Sequence, residues 1–184
     1  MVDLAGEKPI FYGYTGPIDS AGATRIAAAF NSALNDGVDV VHFAFSSPGG
    51  VVADGIYLYN HLRGLPLKIH AYNLSSVSSI AVAVFVAADK RYCSAHGTFM
   101  IHATSFMQLP DMTAQRLSMF LDSTLADDER TESILRERTR LSDELLNARR
   151  SVDVHISPDV ALKQGVVDEI TEFAIPQGYS MFQI

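Results

Sequence analysis

Four features along this chain have the types and order that acyl-transfer chemistry needs. Ser47-Pro48-Gly49-Gly50 closes an apolar run, and Ser79 stands at the front of a second run made of small apolar residues. Glycines at such a turn let backbone N–H groups point outward with no Cβ in the way, as stabilising a tetrahedral oxyanion requires. A serine in the first turn of a helix lies beside further free N–H groups and the positive end of the helix dipole. Downstream, His102 closes the apolar stretch Met100-Ile101-His102, and Asp153 precedes the pair Ser157-Pro158. Nucleophile, base and orienting carboxylate are therefore all present. Taken singly, each has a plainer reading: a turn, a helix start, a structural histidine and a loop acceptor.

The elements that must position these residues are legible as alternation. Short β-branched or aromatic runs at Ile10 to Tyr14, Val38 to Phe45, Leu67 to Tyr72, Arg91 to Ala95 and Thr98 to His102 have strand length. Between them, helical patterns cover Ala21 to Leu34, Val51 to Leu62 and Ser79 to Ala88. Such alternation predicts βαβ units and a mostly parallel sheet. From Asp111 to Arg150 the chain turns charged and Leu/Met-punctuated, which predicts one long helix and a second starting near Ser142. The charges along Asp127-Asp128-Glu129-Arg130 and from Glu132 to Arg140 read as a solvated face. Met112, Leu117, Phe120, Leu121, Leu125, Ile134, Leu135 and Leu141 are more apolar residues than one short sheet contact can bury, which points to an intermolecular helix contact. Ser157-Pro158-Asp159 then opens a helix with a serine cap, ended by Gly165.

Composition narrows the function classes. The chain of 184 residues is 48% hydrophobic and 19% charged, as expected of one globular domain spanning residues 1–184. Its longest apolar run, Ile80 to Ala88, falls far short of the ~20 residues that cross a bilayer, and no charged and apolar leader opens it. A cytoplasmic protein is the expectation, and the single Cys93 fits a reducing compartment. A formal charge of −7 argues against a nucleic-acid partner. The remaining histidines, His42, His61, His70, His96 and His155, lack metal-ligand spacing, so no metal is expected. No glycine-rich nucleotide loop is present either, so any ATP dependence has to come from a partner.

Ser-Pro-Gly-Gly before a helix, a small-residue serine segment, Met-Ile-His, and Asp-x-x-x-Ser-Pro with a Gly-Val-Val-Asp ending together resemble the proteolytic subunit of the Clp protease, in register from about Ile10 to Ile170. The resemblance implies an α/β domain, the ClpP/crotonase-like spiral of ββα units, with a protruding helical handle at about 111–150. It implies a serine endopeptidase with Ser79 as nucleophile, His102 as general base and Asp153 as orienting acid. Its oxyanion hole would be the N–H groups of Gly50 and Ile80, and substrate would bind at Gly49 and Ala103. Register favours Ser79 over Ser78, which stays open as the alternative. The likeness further implies a homo-oligomeric chamber of stacked heptamers, peptide or unfolded-protein substrates, no cofactor of its own, and an AAA+ unfoldase as the ATP-using partner. Only Met1 to Pro9 precede the first strand, from which weak or altered coupling to that partner is expected. The pattern departs from the family at three places. Ser75-Ser76-Val77-Ser78-Ser79-Ile80 replaces Gly-x-Ala-Ala-Ser-Met, Ala103-Thr104 replaces Gln-Pro, and Val152 stands where an arginine precedes the acid. Two other readings follow: a catalytically silent ring subunit or scaffold, and an acyl-CoA hydratase or isomerase on the same spiral, for which the helix after Gly50 offers only Asp54 as a carboxylate.

Overall fold

The computed structural model describes residues 6–105 and 113–184. The alternating runs fold into β1 (Pro9–Thr15), α1 (Ser20–Asn35), β2 (Val40–Ser47), α2 (Val52–Gly64), β3 (Lys68–Ser78), α3 (Ile80–Phe85), β4 (Lys90–Cys93) and β5 (Thr98–Ile101). The charged stretch supplies α4 (Ala114–Arg138) and α5 (Asp143–Ala148). The chain then returns to the sheet through β6 (Val154–Ile156), α6 (Pro158–Lys163), β7 (Glu169–Ile170) and β8 (Met181–Gln183). This is a mixed α/β fold with an eight-stranded, mostly parallel sheet, and every strand pair is parallel except β5 with β6. Met112 and the segment from Met1 to Ala5 lie outside the described residues.

β2 and β3 form the centre, and their composition says why. Val40-Val41-His42-Phe43-Ala44-Phe45 is buried along its whole length, as befits a parallel strand covered on both faces. β3 then branches. Its first half, His70 to Asn73, pairs with β4, and its second half, Ser76 to Ser78, pairs with β5. The sequence pattern ends this strand at Tyr72, because Asn73, Ser75 and Ser76 are polar. The structure carries it on to Ser78, since buried Asn73 donates through Nδ2 to the Thr98 carbonyl at 2.8 Å and accepts from Ser75 N–H at 3.0 Å. A register shift between Phe45 and Ser47 marks the bend. The consequence is functional: β3 delivers Ser79, and β5, paired to it, delivers His102.

α3 is shorter than its pattern and completely buried from Ile80 to Phe85. Backbone N–H groups of Val86, Ala87 and Ala88 satisfy carbonyls of its last turn, and just beyond it Arg138 of α4 donates to Val86 O at 2.9 Å and Ala88 O at 3.1 Å. The small run survives as a helix because α2 approaches it at Gly55, where any Cβ would run into the Ile80 side chain.

Caps on the side chains Thr113, Ser142 and Ser157 start α4, α5 and α6. The handle corrects the sequence reading in two respects. Ile134, Leu135 and Leu141 are buried within the chain itself, so only the earlier part of α4 exposes Leu117, Met119, Leu121 and Leu125. Glu132 is also buried rather than solvated, and Asp128 is half-buried. β6, β7 and β8 have two or three residues each, too few to show alternation in sequence; pairing to the larger sheet is what makes them strands.

Candidate active site

Strand β3 ends and helix α3 begins at one residue, Ser79, and the turn is sharp enough to hold it at φ 57° and ψ −134°. Among the described residues it is the only non-glycine with positive φ. Backbone in that region is strained for a side chain and persists only where the surroundings over-determine it. Here the surroundings are a Ser79 N–H bond to Met100 O at 2.8 Å and a buried helix leaving on the other side. A strand-to-helix turn of this kind pushes the serine hydroxyl outward. Ser79 Oγ lies 2.8 Å from His102 Nε2, hydrogen-bond distance for a nucleophile and its base. Ser78, next to it, is buried and its Oγ meets Ser76 Oγ at 3.1 Å instead.

The Pro-Gly-Gly turn packs against this elbow. Gly49 has φ 94°, and a Cβ on it would stand 2.6 Å from Ser79 Cβ. Gly50 has φ 152°, and a Cβ on it would run into the Ile18 carbonyl. Ile18 N–H to Gly49 O at 2.8 Å and Val51 N–H to Ile18 O at 2.7 Å tie the loop in place around them. Among the described residues the Gly50 N–H has no acceptor. Ile80 is the first residue of α3, so its N–H has no partner inside the helix. Gly50, Ser79, Ile80 and His102 line one cavity of about 250 Å³, with Pro48, Thr104 and Leu135 completing much of its wall.

Gly49 and Ala103 contribute differently from the other site residues. Gly49 N–H donates to Ser47 Oγ at 3.2 Å and its carbonyl accepts from Ile18, so both backbone groups are engaged internally. Ala103 N–H donates to Arg149 O at 2.8 Å. Neither lines the cavity.

Asp153 is placed by β6. That strand pairs antiparallel with β5, and the ladder ends at Val154 opposite Ile101, so Asp153 directly precedes the last paired residue of β6 as His102 directly follows that of β5. Its carboxylate is exposed and, among the described residues, has no hydrogen-bond or ion-pair partner. The structure thus brings the Ser79 and His102 side chains into contact and, among the described residues, leaves the Asp153 carboxylate unbonded. Asp168, the other carboxylate near the end of the fold, is taken up elsewhere, accepting from Arg91 N–H at 2.9 Å. Asp54 does not line the cavity. Cys93 is buried, with its thiol pushed up to about 11 by burial, an unreactive group. Among the described residues, no three His, Cys, Asp or Glu side chains are grouped to hold a metal, and no helix is long and apolar enough to cross a membrane.

Sequence reasoning missed Arg149. Its side chain is wholly buried and its guanidinium meets Asp128 at 2.8 and 3.1 Å and Glu132 at 3.0 Å. The signal was present: two like charges at i and i+4 on one helix face repel unless a cation stands between them.

Comparison with known proteins gives one answer across nearly the whole chain. Residues 2–174 match the family model described as Clp protease. An ATP-dependent Clp protease proteolytic subunit 2 from Pseudomonas aeruginosa is 25% identical over 159 residues, covering 85% of this chain and 78% of that protein. A proteolytic subunit 1 from Prochlorococcus marinus strain MIT 9312 is 27% identical over 176 residues, covering 92% of this chain and 86% of the relative. The subunit from Oenothera elata subsp. hookeri is 28% identical over 144 residues, covering 74% of this chain and 56% of that longer protein.

Proposed function

Because the chain belongs to the Clp protease family, we propose that it is a serine endopeptidase whose nucleophile is Ser79 and whose general base is His102. The observation that carries this reading is the 2.8 Å approach of His102 Nε2 to the hydroxyl of a serine held at positive φ. His102 takes the Ser79 proton through Nε2 as Oγ attacks a peptide carbonyl carbon, and the N–H groups of Gly50 and Ile80 receive the oxyanion. The imidazolium then gives its proton to the leaving amine, and the chain's first product departs. Water, deprotonated by the same His102, attacks the acyl-enzyme, and the imidazolium returns that proton to Oγ as Ser79 is released. Asp153, one residue before β6 as His102 is one residue after β5, would orient the imidazole through Nδ1 in the working enzyme.

The exposed face of α4 supports assembly. Leu117, Leu121 and Leu125 recur every four residues along it, each half or more exposed. Burying them between copies as a ring would enclose the sites in a chamber, where peptides or unfolded chains are cut. ATP would be used by an unfoldase partner, in keeping with relatives that are ATP-dependent Clp protease subunits.

One observation favours a second reading. Asp153 is not bonded to His102, which suits a silent ring subunit that keeps the fold without the turnover. Hydrolysis of a short fluorogenic peptide by the purified protein separates the two. The peptidase reading expects turnover that Ser79→Ala lowers by at least ~10³-fold with the oligomeric mass unchanged. Equal hydrolysis by Ser79→Ala removes that residue from the chemistry, and none by the parent protein favours the silent subunit.

A further inference from the structure

Three consecutive backbone groups after strand β5 are held by one buried ionic unit. His102 O accepts from Arg149 Nη1 at 3.1 Å, Ala103 N–H donates to Arg149 O at 2.8 Å, and Thr104 N–H donates to Asp128 Oδ1 at 3.0 Å. The β5–β6 ladder has ended at Ile101, so these are the bonds that carry the chain beyond it. The unit that makes them is closed on itself. Arg149 joins both Asp128 oxygens, at 2.8 and 3.1 Å, and Glu132 at 3.0 Å, while Glu132 also receives Arg136 and Arg150.

We infer that Arg149, Asp128 and Glu132 form a positioning unit for the base, fixing the 102–104 backbone so that the His102 ring stands at Ser79; the inference rests on the peptidase reading. A guanidinium removed wholly from water is costly without partners; both terminal nitrogens of Arg149 are paired and only its buried Nε is not, so losing a carboxylate partner would leave the charge uncompensated. A general base also works only from within hydrogen-bond reach, and a misplacement of about 1 Å can cost on the order of 10²-fold. His102 lies just past the end of a four-residue strand, with its ring half-buried. What holds its backbone therefore sets its reach. The unit belongs to α4 and to the end of α5, so the handle, and not the sheet alone, determines where the base sits.

Asp128→Asn is the discriminating variant. It keeps an acceptor for Thr104 N–H and nearly the same volume but removes the charge that fixes Arg149. We expect at least a 10-fold lower kcat with KM little changed, an equal fall in the rate at which a fluorophosphonate labels Ser79, and faster hydrogen exchange at the Ala103 and Thr104 amides. Arg149→Met should do the same or fail to fold, and Arg149→Lys should recover part of the loss. Arg150→Met, which removes an exposed partner of the same Glu132, should leave labelling and exchange close to the parent protein. A folded Asp128→Asn variant with parental labelling and parental amide exchange overturns the inference. If the parent protein is not labelled at all, the peptidase reading fails, and the exchange rates of Ala103 and Thr104 still decide whether the unit holds this segment.

Discussion

Ser79 and Ser78 differ by one position and by everything their surroundings allow. Ser79 faces His102 from a strained elbow, whereas Ser78 is buried against Ser76. Ser78→Ala should therefore leave peptide turnover within a few-fold of the parent, and a loss as large as that of Ser79→Ala would show that the nucleophile has been misassigned. Asp153→Asn should keep the fold and lower turnover on the order of 10⁴-fold, because the amide presents the wrong partner to the imidazole N–H. Near-normal turnover there would mean that Ser79 and His102 act as a dyad, consistent with the unbonded carboxylate. The serine and histidine were legible through the joint register of the motifs, not singly, since an apolar run's end alone reads as a helix start or a structural histidine. The state of Asp153 was not, since whether a loop carboxylate turns to a neighbouring imidazole leaves no trace in residue order. Arg149 was legible only in part: the like charges Asp128 and Glu132 call for a cation, but which basic residue supplies it shows only once the partners are placed in space.

At the scale of elements, the loop from Ser47 to Val51 and the small helix α3 form the site together, and both are tightly constrained. Gly50→Ala should destabilise the protein by at least ~2 kcal/mol in urea, because its φ of 152° disfavours a side chain and the Ile18 carbonyl occupies the space the methyl needs. A variant as stable as the parent would show that the Ile18 segment can move aside. The strands and helices that carry the site follow from hydrophobic period, and their order fixes a parallel sheet. What period could not show was the branch in β3, which depends on the buried Asn73 amide bridging to Thr98. Nor could it show that the helix pattern stops at Phe85, beyond which Arg138 holds the carbonyls of Val86 and Ala88.

At the scale of the molecule, two consequences are measurable before any substrate is known. Burial, then the neighbouring His70, holds the His42 imidazole down to about 4, beside Phe11 and bonded to Tyr72 Oη at 2.9 Å. The unfolded chain takes up that proton near pH 6.5, so stability is lost as pH falls from there towards 4. His42→Phe should reduce the stability difference between pH 7 and pH 4.5 by ~2 kcal/mol, read from urea midpoints. A lower stage follows at Glu132. Burial alone would raise its carboxyl, but hydrogen bonds from Arg150, Arg149 and Arg136 outweigh it and hold the group at about 2. Its contribution is complete above about 4.5 and disappears as pH falls towards 2. The exposed apolar face of α4 calls for partners, and an interface of standard size, ~800 Å² per copy, would cover it. Light scattering at micromolar concentration should give a multiple of the 20.0 kDa chain, and a monomer would contradict assembly through this face. The central claim, that His102 activates Ser79, is tested most directly by treating the purified protein with a fluorophosphonate and locating the adduct by peptide mass. A single adduct on Ser79, abolished by His102→Ala, is the predicted result; no adduct, or one on another serine, would contradict it.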